Sequence, residues 1–303
     1  DVHISLANVY AETGRKEEAV AEFLEALKRR PRNDSAHRQL AVVLRNLSRH
    51  EEALQEYQRA IEIRPNYFRN HSALGVFYFH VGRYPEAAIQ FQRVTELEPK
   101  STWGFVNLGA AYFMNGENQK ALVNFERALE IASDETAFSN VGLIHYAEGR
   151  YEDAARAFQE AIRLNRNNHK SHRNLGDAYL RLGQRARARA EYEQAAALSL
   201  DSLKVDPSDA SALACHAVYD MKLGRTAEAI THIEAAAALS PGDVDVLYKR
   251  AVVYALASRP DNAVPSLEEA LTKGYSRALA RIDDDLDSIK QLPRVQELLK
   301  DGK

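Results

Sequence analysis

Pro31, Pro65 and Pro99 stand 34 residues apart, and each closes the same run of residue types. A small residue is followed by an aromatic four places on, then by a small or branched residue three further, then by the proline. The three copies are Ala19-Phe23-Ala26-Pro31, Ala53-Tyr57-Ala60-Pro65 and Ala87-Phe91-Val94-Pro99. The later chain keeps the word without always keeping the proline: Ala121-Phe125-Ala128, Ala154-Phe158-Ala161, Ala188-Tyr192-Ala195, Ala229-Ile233-Ala236 and Ala263-Leu267-Ala270. A fixed period of this length predicts a stack of helical hairpins, each too small to bury its apolar face alone. The question of function thereby moves from a catalytic pocket to a surface.

Each unit also carries a first half, in which Leu or Val precedes Gly or Ala and an aromatic usually follows. Examples are Leu6-Ala7-Tyr10, Leu74-Gly75-Tyr78, Leu108-Gly109-Tyr112 and Leu175-Gly176-Tyr179. Eight units result, starting near residues 1, 34, 68, 102, 135, 169, 210 and 244. Apolar spacings of three and four give both halves an amphipathic stripe. The Gly or Ala of the first helix is expected to face the Ala of the second, letting the backbones approach. Glycines such as Gly14 and Gly82 fall where the first helix must stop in a left-handed turn. Ser48 and Ser258 replace that glycine, so those turns should be less ideal. Between the sixth and seventh units the interval grows to 41 residues. The surplus, in 195–205, holds good helix formers and no breaker, which predicts a second helix longer by about two turns and a weak joint there.

These residues resemble the tetratricopeptide repeat over nearly the whole chain. The resemblance implies an all-α fold: a right-handed superhelix, an α-solenoid of about eight hairpins, treated as one array over residues 1–303. It also implies a concave groove lined by the first helices. The groove positions fall on Arg38, Arg45 and Asn46; Arg69, Phe79 and His80; Trp103, Phe113 and Met114; Tyr146; and Lys170, Arg173, Asp177 and Arg181. Phe79, Phe113 and Tyr146 share one position in three units. They make either an aromatic strip for a partner's apolar anchor or rings that pack between neighbouring helices. Asn107, Asn140 and Asn174 precede the Leu/Val-Gly pair; they bind a partner's carboxylate, as in co-chaperones of this kind, or bond nearby backbone.

After the last unit come Lys273-Gly274-Tyr275-Ser276, the acidic run Asp283-Asp284-Asp285-Leu286-Asp287, and Leu292-Pro293-Arg294-Val295. This order is similar to the ending of repeat arrays in bacterial signalling proteins, behind eukaryotic-like serine/threonine kinases, adenylate cyclases or winged-helix regulators. It implies a C-terminal cap over 275–303, folded back as short helices on the last apolar face. The chain starts at Asp1 within a helical pattern, so a covalently linked N-terminal effector domain is expected to precede it.

No phosphate-binding glycine loop, HExxH, paired cysteines or Gly-x-Ser-x-Gly is present in the sequence, so no catalytic residue, cofactor or metal site is expected. His3, His37, His71 and His172 recur in register. Equivalent residues of stacked units lie roughly 10 Å apart, too far to share an ion bound at about 2 Å, so a packing role is expected. The acidic run lacks the spacing and glycine of a calcium loop and reads as a solvated turn with a helix cap. Cys215 reads as a small core residue and, as the single cysteine, suits a reducing compartment. A net charge of −3 argues against a nucleic-acid partner, and no apolar run is long enough for a membrane segment. The expectation is a non-catalytic, cytoplasmic scaffold that binds a protein or peptide in the groove. It would serve as the sensory or docking part of a bacterial signalling protein. The alternatives are a carboxylate-clamp co-chaperone, which the Ile4, Asn8 and Gln39 positions fit poorly, and the accessory region of an enzyme whose catalytic domain lies elsewhere.

Overall fold

A computed structural model describes residues 2–300 and shows, among them, helices and turns with no strand. Its helices fall into two compact units, residues 1–115 and 116–303; Asp1 and residues 301–303, which include the end of the expected cap, lie outside the described residues. The first unit holds α1 (Val2–Glu12), α2 (Lys16–Arg29), α3 (Asp34–Asn46), α4 (His50–Ile63), α5 (Phe68–His80), α6 (Tyr84–Leu97) and α7 (Thr102–Met114). The second holds α8 (Asn118–Ile131), α9 (Glu135–Ala147), α10 (Tyr151–Leu164), α11 (His169–Arg181), α12 (Arg185–Val205), α13 (Ala210–Lys222), α14 (Thr226–Leu239), α15 (Val244–Leu256) and α16 (Pro260–Thr272). Its tail adds α17 (Arg277–Ile282), a 3-10 turn (Asp284–Leu286), α18 (Asp287–Lys290) and α19 (Pro293–Leu298).

Odd-numbered helices up to α15 are the first halves of the repeats, and even-numbered helices up to α16 the second halves. First helices start on a side-chain cap in most units: Asn33, Ser101, Asp134, Asp209 and Asp243 each accept the backbone N–H three residues on. Second helices have no such cap; α2 and α4 instead place two glutamates each in the first turn, where carboxylates favour the positive helix end. Helix α12 runs to 21 residues against 14 in α2, α4, α6, α8, α10 and α14, which is the expected extension by two turns.

Where both helices lie in one unit, the aromatic of the second helix is the centre of its hairpin. Phe23, Tyr57, Phe91, Phe125, Phe158 and Tyr192 are all buried, and Ile233 and Leu267 take their place in the last two hairpins. A β-carbon added at Gly75, Gly142 or Gly176 would lie 2.5–2.7 Å from the ring of Phe91, Phe158 or Tyr192. The glycine therefore makes room for the aromatic ring rather than for the alanine expected opposite it. Histidines lock the same hairpins from the side. His37 bonds Glu56 on α4 through Nδ1 at 2.5 Å and donates through Nε2 to the Pro31 carbonyl at 2.9 Å. His172 repeats this with Glu191 and the Arg166 carbonyl. Burial pushes the His37 imidazole down, but Glu56 and the Pro31 carbonyl outweigh it and raise its pKa. Each recurring histidine ties a first helix to a second helix.

Ser48 and Ser258 do adopt the left-handed turn, at φ 60° and 56°. A side chain there is strained where the glycines of the other turns are not. Ser48→Gly is expected to raise stability by about 0.5–1 kcal/mol, measured by chemical denaturation. A loss instead would mean that the serine stabilises its turn.

Candidate functional site

In the first unit, α3, α5 and α7 present Arg38, Gln39, Arg45, Arg69 and Trp103 around a pocket of about 330 Å³ whose floor includes Tyr57. Arg38 is committed inward: its Nη1 donates to Asn70 Oδ1 at 2.7 Å, and Asn70 in turn reaches the Asp34 carboxylate. Arg45 bonds only the neighbouring Asn46 amide oxygen, and Arg69 lies over the Phe68 ring. Tyr57 is 1% exposed, yet its hydroxyl has no hydrogen-bond partner, and neither has Gln39 Oε1. Burial pushes the Tyr57 hydroxyl up to about 12, despite the Arg45 charge. The pocket thus joins two guanidinium groups without a carboxylate partner to a buried, neutral O–H donor. That set suits an anionic or hydrogen-bond-accepting group.

The other expected residues of this unit divide. His80 is exposed, with its imidazole pKa lowered by partial burial and by Arg45. Phe79 is half-buried against the core and edge-on to Tyr84 at 5.4 Å. Phe113 is 5% exposed and presents no ring to a partner, which favours the packing reading there. Trp103 is exposed and meets Phe91 edge-on at 5.7 Å. Asn107 donates back to the Trp103 carbonyl of its own helix at 2.8 Å, the backbone role rather than the clamp.

In the second unit the first helices carry a cavity of about 590 Å³, walled in part by Leu143, Phe158, Val218, Tyr219 and Val252. The tail closes it. The acidic turn, read from sequence as solvated, is in fact held inward, with Asp285 5% exposed. Arg173 Nη2 donates to Asp285 Oδ2 at 2.6 Å, and Lys222 donates to Asp285 and, at 2.8 Å, meets Asp177. Tyr146 donates to Asp284 and Tyr248 to Asp283, each at 2.7 Å, while Arg181 pairs with Asp284 at 3.3 Å. Side chains of α9, α11, α13 and α15 thus grip three consecutive aspartates.

Desolvation explains the cost and the charges explain the tolerance. Burial pushes both Asp283 and Asp285 up. For Asp285 the ammonium of Lys222 and the guanidinium of Arg173 win and hold it below its usual range. Asp283 ends raised by burial and by the neighbouring Asp285 charge. Lys222 remains charged because Asp177 and Asp285 outweigh its burial. Asp177 is buried and also accepts from Tyr192 at 2.7 Å, so it is a strut of the network. Lys170 is exposed, Asn140 half-buried, and Asn174 lines the cavity. Cys215 is buried in the core and borders the same cavity. Tail residues Ala280, Leu286, Ile289 and Val295 complete the apolar cluster of the last hairpins, so the tail does cap the array end as expected.

Tyr146, Arg173, Asp177 and Arg181, expected from sequence to face a partner in the groove, instead belong to the network that holds the chain's own tail; Lys222 and Tyr248, which join them there, were not named from sequence. The signal was present: a lysine and a tyrosine at groove positions of the seventh and eighth units.

Among the described residues no helix is long and apolar enough to cross a membrane. Comparison with family models matches tetratricopeptide repeat models at residues 4–68, 216–279 and 169–202, and a TPR repeat model at 142–183. Together these span more than half of the chain. No curated protein sequence matches. A solved tetratricopeptide repeat protein from Parabacteroides merdae is similar in fold, with 15% identity over 94% of this chain and 96% of that one, and a TM-score of 0.59. So is a chain of the APC/C hetero-tetramer Cut9-Hcn1, at 17% identity over 94% of this chain and 52% of that one, TM-score 0.55. The MamA protein is 21% identical over 57% of this chain and 95% of that one, TM-score 0.50.

Proposed function

The chain belongs to the tetratricopeptide repeat family, and on that premise we propose that it is a non-catalytic scaffold that binds an acidic peptide segment of a partner protein. One observation carries the reading: the first-helix face of the second unit already holds an acidic segment, the chain's own Asp283–Asp285, through cations and tyrosines of four hairpins. The first unit offers the same donor chemistry in Arg45, Arg69 and the Tyr57 hydroxyl, with no acid seated on it. A partner's Asp or Glu would enter there, with Trp103 beside it for an apolar neighbour. Arginine and tryptophan are among the residue types that dominate interface energetics. The order of the tail residues supports a docking role within a larger bacterial signalling protein, fused to an effector domain, in the cytoplasm.

The test uses a fluorescein-labelled decapeptide of alternating Glu and Leu, with a Lys/Leu decapeptide as control, read by anisotropy on the full chain. The double variant Arg45→Ala/Arg69→Ala is expected to weaken Glu/Leu binding about tenfold or more and to flatten its salt dependence. Arg59→Ala, on the outer helix α4, should change nothing. Equal binding of the two peptides, or indifference to the double variant, would refute the reading.

A further inference from the structure

The seventh hairpin gathers three side chains that the acidic network does not use. His216 and Asp220 stand one turn apart on α13, and His232 faces them from α14; one donor atom of each lies within 4.8 Å of the others. His216 Nε2 is 3.6 Å from Asp220 Oδ2, and His232 Nδ1 is 2.8 Å from the same oxygen. The imidazole centroids are 5.1 Å apart.

Ser199, on the extended helix α12, sets the state of His216. The Ser199 hydroxyl donates to the Ala196 carbonyl at 2.9 Å, so its oxygen accepts from His216 Nδ1–H at 2.8 Å. The proton therefore sits on Nδ1, and the Nε2 lone pair points at the Asp220 carboxylate. His216 is 3% and Asp220 2% exposed. With the proton on Nδ1, Nε2 is left as an acceptor 3.6 Å from Asp220 Oδ2, a spacing that a cation can bridge. Arg225, whose Nη1 lies 3.3 Å from Asp220 Oδ1, neutralises the other carboxylate oxygen and leaves Oδ2 turned toward the histidines.

We propose that His216, Asp220 and His232 form a divalent-metal site, with Zn2+ the ion that suits two imidazoles and one carboxylate. Bonds of about 2.0–2.2 Å in tetrahedral geometry put neighbouring donors roughly 3.4 Å apart, between the two distances present. A hydrogen bond from the second ring nitrogen is the usual way a ligating histidine is oriented, and Ser199 supplies it. His232 is half-buried, so the group is not sealed from solvent. Reading the sequence for ligand spacing predicted no metal, because the ligands sit on two helices at successive spacings of 4 and 12 residues, outside any named motif.

The test is direct. The full chain, freed of metal by chelator dialysis, is titrated with ZnCl2 in a calorimeter and with CoCl2 by visible absorption. One ion per chain is expected, with cobalt bands typical of four-coordination. His232→Ala, a partly exposed position that leaves folding intact, should weaken binding at least tenfold, and Ser199→Ala by about tenfold through loss of orientation. His37→Gln, which removes a histidine bonded elsewhere, should leave stoichiometry and affinity unchanged. Absence of saturable uptake near one ion per chain, or uptake indifferent to His232→Ala, would overturn the site.

Discussion

Asp285→Asn is expected to destabilise the second unit by about 3–5 kcal/mol, the cost of breaking a buried ion pair from one side. The change is nearly isosteric, so packing is kept and only charge is lost. Arg173 and Lys222 would then be left sharing Asp177, with Asp283 at 3.8 Å as a further, more distant partner of Arg173 only. Asp283→Asn should behave oppositely and cost less than about 1 kcal/mol. Its carboxylate is disfavoured by burial and by Asp285; in the amide the oxygen still accepts from the Asp285 backbone N–H, while the NH2 group, in place of the oxygen that accepts from Tyr248, can donate to the Tyr248 hydroxyl oxygen. Urea unfolding of both variants, with hydrogen exchange to locate the loss, decides the matter. Equal effects for the two substitutions would show that the turn is held by shape rather than by charge.

The two aspartates also oppose each other in pH. Asp285 has a depressed folded pKa, so its stabilisation is complete above the ordinary carboxylate range and is lost as pH falls through the lower folded value. Asp283, raised, favours the folded state when protonated, so its contribution is present below the ordinary range and fades as pH rises through its folded value. Removing Asp283 by the Asn variant should therefore leave an acid-unfolding profile steeper than that of the parent.

The hairpins were legible because their cause is local: spacings of three, four and 34 residues fix which face is apolar and where each helix stops. Even the two-turn extension of α12 could be counted from the interval. The grip on the acidic turn was not legible, because Arg173 and Asp285 are 112 residues apart and no periodicity says which acid neutralises which base. The acidic run looked solvated because, read alone, three adjacent aspartates have no reason to be buried; the reason lies on four other helices. The glycine of the first helix was located correctly but given the wrong neighbour. Its period matches both the alanine and the aromatic of the second helix, and only the ring's size decides which fills the space. Phe113 and Phe79 shared a repeat position but not a degree of burial, which the repeat period alone does not set.

That ring-on-glycine contact should be the least forgiving joint of each hairpin. Phe158 is fully buried, and its Cε1 lies 2.5 Å from where a β-carbon at Gly142 would stand. Phe158→Ala is expected to cost about 3–5 kcal/mol, from lost burial and the cavity left between α9 and α10. Gly142→Ala should cost about 1–3 kcal/mol by the opposite route, since the ring is packed against its neighbours and must be pushed off its rotamer. The pair should then compensate. In Gly142→Ala/Phe158→Leu the added methyl enters space that the shortened side chain vacates. The double variant should therefore be more stable than the sum of its singles by about 1 kcal/mol or more. Because a repeat array does not unfold as one two-state body, the effects should be read hairpin by hairpin in hydrogen exchange. Loss of protection should centre on α9 and α10, and Tyr146, carried by α9, should lose its hold on Asp284 in the single variants. Strict additivity would mean that ring and glycine occupy separate spaces, and the close approach would then not be what positions the first-helix face.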